Sequence, residues 1–412
     1  MSTPVREPGV PAQYRHDAVP TPALAPLAAP GAATALLDAY RPGEDRFLAT
    51  PHRTLLARGT AAELPHGDAP VAVRVKELLD ERRRAGDHDP VVLGALPFDP
   101  SAPAALAVPR TVRRAQALRE DPLVALPAEP PAATRWQVRE VPSAAAYGEA
   151  VAAAVARMRA GEFAKVVLAR TLELTGDTEP DLPALLRRLA RRDPSGYTFA
   201  VPGGPGRTLV GASPELLVSR TGGRLTANPL AGSAPRSADL AEDVRRAAAL
   251  LESEKDLHEH AVVVDAVREA LAPYCSRLEV PERPTLVRTA AMWHLSTTVT
   301  GDVADPGATT ALDLASALHP TPAVCGTPTG LARRVIAESE PFDRGAYTGM
   351  VGWQDADGDG EWVVTIRCAE AEGRTLRLFA GAGVVAGSSP EAETAETGAK
   401  FGTFLDAVGA SL

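Results

Sequence analysis

The spacing of hydrophobic and polar positions predicts a series of helices and strands after residue 140. The stretch SAAAYGEAVAAAVARMRAGE has a helical period, with Ser143 as a suitable N-cap and Gly161 as a suitable end. Strand-like runs follow in FAKVVLARTLEL, YTFAVPG and RTLVGASPELLVSRTGGRLTANPLAG. In the last run, Gly222 and Gly223 predict a hairpin turn. A long helix is then predicted from about residue 238 to residue 272.

The C-terminal part continues this alternation of hairpins and helices. EWVVTIRCAEAEGRTLRLFAGAG predicts two strands joined at Glu372 and Gly373. A final helix is predicted from about Pro390, because Ser389 is a good N-cap and proline is favoured in the first helical position. The pattern therefore predicts an α+β fold with mostly antiparallel sheets flanked by helices.

The N-terminal region has a different composition from the rest of the chain. Residues 1–33 are rich in Pro and Ala, lack periodicity and predict a mobile leader. Residues 34–139 form a mixed N-terminal part that ends in a Pro-rich stretch, and residues 140–405 form a more regular core. A chain of 412 residues has room for one large domain or for several ordinary ones.

Bulk composition excludes several classes of function. A net charge of −9 argues against a large nucleic-acid footprint, and no apolar run of about 18 residues predicts a membrane helix. The N-terminus lacks the pattern of a signal peptide. Cys275, Cys325 and Cys368 are far apart and match no zinc or redox spacing, which favours a reducing cytoplasm.

Two pairs of acidic residues have the spacing that places both members on one face of a helix. Asp256 and Glu259 form the first pair, and Glu393 and Glu396 form the second, with Lys400 one turn further on. If the pairs face each other, they form an oxygen-rich site suited to Mg²⁺. Spacing alone leaves open the alternative of two solvated acidic helix faces.

A segment rich in aspartate is similar to half of a calcium-binding loop. Asp355, Asp357, Asp359 and Gly360 match its first half, but Ile366 occupies the position of the final bidentate glutamate. Because a strand pattern begins directly afterwards, we predict a hairpin turn here.

A glycine-rich segment at 381–386 is similar to a dinucleotide-binding fingerprint. The surrounding hairpins and the short remaining chain do not predict the parallel unit that this fingerprint requires. The same glycines can instead present backbone N–H groups to a carboxylate.

Nine ordered segments together resemble the chorismate-utilising enzymes, the family of isochorismate, salicylate, anthranilate and aminodeoxychorismate synthases. The resemblance covers roughly residues 140 to 405, and VVLGALPFDP extends it into the N-terminal part. The segments are FAKVVLAR, LVGASPELLV, NPLAGSAPR, SEKDLHEH, LHPTPAVCGTP, YTGMVGW, TIRCAE, LFAGAGVVAGS and SPEAETAETGAK.

This resemblance implies a single catalytic domain over residues 34–412, with the site in a cleft. It implies Mg²⁺ between the substrate's C1 carboxylate and Glu259 and Glu396, with Asp256 and Glu393 nearby through water. It also implies a set of residues that bind chorismate, helped by backbone amides of a glycine-rich segment: Arg367, Tyr347, Lys400, His294, Thr327, Gly381, Ala382 and Gly383.

Within the family, the chain most resembles isochorismate synthases, which add water at C2 of chorismate and release the C4 hydroxyl. The resemblance implies Lys165 as the base for the water and Glu215 as the acid for the leaving group. The alternation in AKVVLAR places Lys165 on one strand face with Val167 and Ala169. Near pH 7 the acid role requires a protonated glutamate, which burial favours.

The other branches of the family fit less well. Lys165 favours water over ammonia as the nucleophile, and Ala231 stands where aminodeoxychorismate synthases typically carry a lysine. No glutaminase subunit is expected, and the resemblance implies a monomer.

Two alternatives stay open at this level. Salicylate synthase uses the same base and acid and then expels pyruvate, and differences around His294 and 321–327 are expected to separate it from isochorismate synthase. A non-catalytic binding module of the same fold is the other alternative. The pathway served, siderophore or menaquinone synthesis, is also open.

Overall fold

The computed structural model of the protein describes residues 29–411. Most of the predicted leader therefore lies outside the described residues, and the first helix begins at Ala32. The helices are α1 (Ala32–Asp38), α2 (Val71–Arg84), α3 (Ala144–Arg159), α4 (Leu182–Arg192), α5 (Leu240–Glu252), α6 (Glu254–Leu271), α7 (Ala311–Leu318), α8 (Thr329–Ser339) and α9 (Pro390–Val408).

Short strands alternate with these helices along the chain. The first half contains β1 (Arg46–Ala49), β2 (Thr54–Arg58), β3 (Ala62–Glu63), β4 (Val91–Leu96), β5 (Ala105–Val108), β6 (Thr111–Ala115), β7 (Trp136–Val141), β8 (Lys165–Gly176), β9 (Tyr197–Gly204) and β10 (Arg207–Ser213). The second half contains β11 (Leu216–Thr221), β12 (Arg224–Asn228), β13 (Leu230–Pro235), β14 (Cys275–Glu279), β15 (Thr285–Arg288), β16 (Met292–Ser296), β17 (Val299–Val303), β18 (Gly326–Thr327), β19 (Met350–Asp355), β20 (Gly360–Val364), β21 (Cys368–Glu372) and β22 (Thr375–Val385).

The strands form two large sheets and one small sheet. The first sheet has the order β18-β8-β22-β21-β10-β9-β1-β2-β6, with β7 also paired to β8. The second has the order β14-β17-β12-β11-β20-β19-β4-β5-β3, and the small sheet has the order β13-β16-β15. All strand pairs in the described part of the chain are antiparallel, so the predicted α+β class with antiparallel sheets is confirmed.

The two large sheets pack face to face, and helices cover their outer faces. Side chains such as Leu48 and Phe199 from the first sheet meet Leu93, Val351 and Val363 from the second. Helices α1, α4 and α9 cover the first sheet, and α2, α6 and α7 cover the second. The N-terminal part, residues 34–139, supplies strands to both large sheets. No helix between residues 29 and 411 has the length and hydropathy needed to span a bilayer.

Several local predictions are confirmed. Ser143 caps α3, where its hydroxyl accepts the N–H of Ala146 at 3.2 Å, and Gly222 and Gly223 lie in the turn between β11 and β12. The helix α9 begins at Pro390 with Ser389 as its N-cap.

For two segments the predicted number of helices or strands is wrong. The long helix from about 238 to 272 is two helices, α5 and α6, because Ser253 leaves the helical conformation and its hydroxyl caps α6. The stretch from Glu361 to Gly383 belongs to three strands rather than two. Arg367, which has a φ of 49°, lies in the connection where the chain passes from the second sheet to the first.

Candidate active site

A cavity lies where β8 and β22 of the first sheet approach α6, α9 and the small sheet. Most of the residues that the sequence predicts for the site line this cavity, together with Ser233 of the small sheet. The predicted residues among its walls are Glu215, Glu259, His294, Tyr347, Arg367, Gly381, Gly383, Glu396 and Lys400.

Lys165 begins β8 and points into the protein rather than into solvent. Its strand lies between β18 and β22, and the side chain is 2% exposed, so it is not an edge-strand lysine. Its ammonium group donates a hydrogen bond of 2.8 Å to Glu259 Oε1. A cavity-lining carboxylate therefore connects Lys165 to the cavity.

The acidic pair on α6 is held by polar neighbours. Glu259 accepts the hydrogen bond from Lys165, and Asp256 accepts one from the Ser253 hydroxyl. Burial raises the pKa of Asp256, and the negative charges of Glu259 and Glu396 raise it further. Glu259 of α6 and Glu396 of α9 line the same cavity, so one member of each predicted acidic pair faces it.

The acidic pair on α9 is held by two lysines. Glu393 is 1% exposed and accepts a hydrogen bond of 3.1 Å from Lys255 of α6. Glu396 contacts Lys400 at 2.6 Å and accepts a hydrogen bond of 3.0 Å from Ser233. Burial raises the pKa of Glu393, and the negative charge of Glu396 raises it further. Burial also acts to raise the pKa of Glu396, but Lys400 and the hydrogen bond from Ser233 outweigh it, so the pKa of Glu396 is lowered.

These four carboxylates have the chemistry of a hard-cation site. Between residues 29 and 411, no three His, Cys, Asp or Glu side chains are already arranged around one point as metal ligands. Instead, Lys165, Lys255 and Lys400 neutralise three of the four carboxylates. A set of buried and half-buried oxygen donors without sulfur or imidazole ligands suits Mg²⁺ better than a transition metal.

Glu215 lies between β10 and β11 and is 3% exposed. Burial raises the pKa of its carboxyl group to about 7, against opposing contributions from the Leu230 N–H and from Lys165, Arg367 and Lys400. At neutral pH a large fraction of Glu215 is therefore protonated and able to donate a proton, because desolvation disfavours the charged form.

Arg367 and His294 line the cavity, and each has a buried polar atom without a partner in the described part of the chain. Arg367 Nη2 and His294 Nε2 are buried without a hydrogen-bond partner on the described protein. Burial lowers the pKa of both side chains, and for His294 the charges of Arg367 and Lys400 lower it further, so the imidazole is neutral. Buried polar atoms are normally satisfied, so this pair points to a polar ligand.

Tyr347 and the glycines of β22 complete one wall. The Tyr347 ring stacks on Phe379 with centroids 4.9 Å apart, and a β-carbon at Gly381 would lie 2.7 Å from the Tyr347 hydroxyl. A β-carbon at Gly383 would lie 2.4 Å from Glu259 Oε1. An added side chain at either position would therefore force these groups away from the strand.

The backbone directions on β22 follow from its pairing with β8. The N–H groups of Val167 and Ala169 bond to Cys325 O and Glu340 Oε1, away from β22. Gly383 is opposite Val167 and Gly381 is opposite Ala169, so both are non-hydrogen-bonded pairs of the ladder. The N–H groups of Gly381 and Gly383 therefore point away from β8. The Gly381 carbonyl on that side accepts a hydrogen bond of 2.8 Å from Lys400.

Some predicted residues lie outside the cavity wall. Ala382 alternates to the opposite strand face, and Thr327 pairs through its backbone with Lys165 where β18 meets β8. Asp256 and Glu393 lie behind Glu259 and Glu396 rather than among the lining residues.

The sequence analysis missed Lys255 and Ser233. A compositional signal for Lys255 exists, because the chain contains only four lysines, at positions 76, 165, 255 and 400, among 43 basic residues. Three of them contact acidic site residues. In an arginine-rich chain, a retained lysine indicates a need for a compact point charge. No signal of this kind was available for Ser233.

The two motifs that we set aside are explained by hairpins and strands. The aspartate-rich segment forms the turn between β19 and β20. The glycine-rich segment at 381–386 lies mostly in β22, which is antiparallel to β8, so the parallel unit of a dinucleotide site is not formed there.

The antiparallel sandwich therefore carries a charged cavity whose walls combine glutamate, lysine, arginine and histidine side chains, as in an enzyme site. The chain belongs to the chorismate-binding enzymes, because the family model described as "Chorismate binding enzyme" matches residues 87–409.

Individual relatives agree with this assignment. The chain is 52% identical over 385 residues to isochorismate synthase DhbC of Bacillus subtilis, covering 91% of this chain and 96% of that protein. It is 42% identical over 381 residues to the vibriobactin-specific isochorismate synthase of Vibrio cholerae, covering 92% and 94%. The crystal structure of a putative 2,3-dihydroxybenzoate-specific isochorismate synthase, DhbC from Bacillus anthracis, superposes with a TM-score of 0.86 at 47% identity, covering 92% of this chain and 100% of that one.

Proposed function

We propose that this protein is an isochorismate synthase, an isomerase that converts chorismate into isochorismate. The observation that carries the proposal is that a buried lysine and a buried, partly protonated glutamate serve one cavity in a chain related to isochorismate synthases. The names of these relatives favour this activity over salicylate synthase. A non-catalytic module is disfavoured because none of the polar residues of the predicted machinery is lost from the sequence.

In this proposal, Lys165 takes a proton from the water that adds at C2, and Glu215 gives a proton to the departing C4 hydroxyl. Lys165 must leave Glu259 before it can accept a proton from water, because its Nζ is engaged in a hydrogen bond of 2.8 Å to Glu259 Oε1. Glu215 already has a pKa of about 7, which suits a general acid near neutral pH.

The remaining residues bind and orient the substrate. Arg367 and Tyr347 hold the pyruvyl carboxylate, and Arg367 has a free Nη2 for this contact. Lys400 and the N–H groups of Gly381 and Gly383 contribute on the same side of β22. The neutral His294 provides a hydrogen-bonding partner that adds no charge.

We further propose that Glu259 and Glu396 hold Mg²⁺, with Asp256 and Glu393 behind them. When bound, Mg²⁺ would neutralise the ring carboxylate of the substrate and the surrounding acidic side chains. Lys165 and Lys400 pair with the two proposed metal ligands, so Mg²⁺ would compete with these lysines for Glu259 and Glu396. We expect the protein to act as a cytoplasmic monomer with free thiols, without a glutaminase subunit.

Product analysis tests the activity. Purified protein is incubated with chorismate and Mg²⁺, and the mixture is separated by chromatography. Isochorismate as the sole product supports the proposal, whereas salicylate with pyruvate or unchanged chorismate contradicts it. Because an isomerase catalyses both directions, incubation from pure isochorismate must reach the same final ratio of the two compounds.

A further inference from the structure

A fully buried ion pair lies behind the cavity wall, in contact with several of the residues that form it. Arg344 and Glu340 follow α8, and both side chains are 3% exposed. Neither residue lines the cavity. The guanidinium donates to Glu340 through Nε at 2.8 Å and through Nη2 at 2.5 Å.

The other donors of Arg344 all reach residues that line the cavity. Its Nη1 donates to Val324 O at 2.9 Å and to Thr348 Oγ1 at 3.1 Å, and its Nη2 donates to Val167 O at 2.8 Å. An arginine side chain has five N–H donors, so every donor of Arg344 is engaged. Three separate segments of the wall are therefore joined through one planar group.

Glu340 extends this connection along β8. While it accepts from Arg344, its Oε1 also accepts the N–H of Ala169 at 2.8 Å. The pair thus holds β8 at Val167 and Ala169, and the same strand begins with Lys165. Through these contacts the pair fixes the position of β8 relative to the cavity. It therefore also fixes the position of the proposed base, Lys165.

Thr348 shows why the wall needs to be held. Its φ is 56°. In the described part of the chain, Thr348 and Arg367 are the only residues other than glycine with a positive φ. Such a conformation is strained for a threonine and persists only where neighbours enforce it. Here Arg344 holds the Thr348 hydroxyl, and His319 Nε2 lies 2.8 Å from its carbonyl oxygen.

Tyr347 precedes this strained residue and is positioned by it. The Arg344 guanidinium also lies 5.7 Å from the centre of the Tyr347 ring and 4.7 Å from that of Phe98. We propose that Arg344, braced by Glu340, is a positioning residue that holds the Tyr347–Thr348 backbone and β8 in their catalytic arrangement. The inference rests on the proposed function, because its effect is read in chorismate turnover.

The test compares two buried arginines. Arg344→Lys keeps a positive charge beside Glu340, but a single ammonium group cannot reach Val324, Thr348 and Val167 together. The matched control is Arg220→Lys. Arg220 is 3% exposed and bonds to Asp357 O at 2.9 Å and Pro306 O at 2.6 Å, and none of its partners lines the cavity.

Steady-state kinetics at saturating Mg²⁺ are measured for both variants over a range of pH, well below each Tm. We expect Arg344→Lys to lose about tenfold or more in kcat and to shift the pH profile of kcat, because a displacement near 1 Å can cost about a hundredfold. Arg220→Lys should lose thermal stability to a similar extent but keep the kinetic constants and the pH profile of the wild type.

Each result decides the inference. Both variants are assayed at temperatures equally far below their own Tm. If their kinetic constants then agree within about twofold, the positioning role of Arg344 is overturned. If Arg344→Lys does not fold, Glu340→Gln decides in its place, since it keeps the side-chain shape and should show a smaller loss of kcat in the same direction. An inactive wild-type protein would instead overturn the proposed function, whereas an active one with unaffected variants overturns only this inference.

Discussion

The ammonium group of Lys165 lies 2.8 Å from Glu259 Oε1, so the proposed base and a proposed metal ligand are paired with each other. This pair lies directly against β22. A β-carbon added at Gly383 would approach the same oxygen to 2.4 Å and Lys165 Cε to 3.2 Å.

Gly383→Ala should therefore displace the Lys165–Glu259 pair without unfolding the strand. We expect kcat/KM for chorismate to fall about tenfold or more, because small displacements of reacting groups are costly. The control is Gly387→Ala, where an added β-carbon meets no atom within 4 Å. Wild-type kinetics in Gly383→Ala would show that the position of the pair does not matter for turnover.

Replacing Lys165 should abolish turnover. Lys165→Ala removes the proposed base, and Lys165→Met does so while retaining most of the buried volume. Both should show a wild-type circular dichroism spectrum and no detectable isochorismate. Lys76→Ala is the control, because Lys76 is exposed and pairs with Asp80, which is not a site residue. Retained turnover in both Lys165 variants would remove the assignment of the base.

Glu215→Gln should lose activity and gain stability at alkaline pH. Burial raises the pKa of Glu215 from 4.5 to about 7, so the folded protein binds more protons than the unfolded chain between these values. The contribution of Glu215 to stability therefore falls as pH rises through this window, by about 1.4 kcal/mol for each pH unit between the unfolded and the folded pKa. Glutamine avoids this loss.

Denaturant unfolding of wild type and Glu215→Gln at pH 5 and pH 8 measures this difference. The advantage of the variant should be larger at pH 8. The wild-type rate should decline above about pH 7, where Glu215 becomes ionised. An equal stability difference at both pH values would contradict the raised pKa.

Turnover should depend on Mg²⁺ through the acidic pairs. We expect chelation to abolish activity, added Mg²⁺ to restore it, and Glu396→Gln to raise the Mg²⁺ concentration for half-maximal rate about tenfold or more. Glu391→Gln is the control, because Glu391 is exposed on the same helix. Full activity after thorough chelation would exclude the metal site.

Features that depend on neighbouring residues in the chain were accessible from the sequence. Ser143, Ser389 and Pro390 predicted helix starts, and Gly222 with Gly223 predicted a turn, since caps and turns need only local geometry. The break at Ser253 was missed because the helical period continues through it. Its cap became evident only in the folded chain.

The sequence alone determined the alternation of strands and helices, the acidic pairs on their helices and the resemblance to a family of enzymes. Only the tertiary structure decided that Lys165 pairs with Glu259, that Glu215 is buried enough to hold a proton near pH 7, and that Arg344 joins three segments of the cavity wall. The physical reason is that ion pairing and desolvation depend on groups far apart in the chain, and their strength is set by the low-dielectric environment that folding creates.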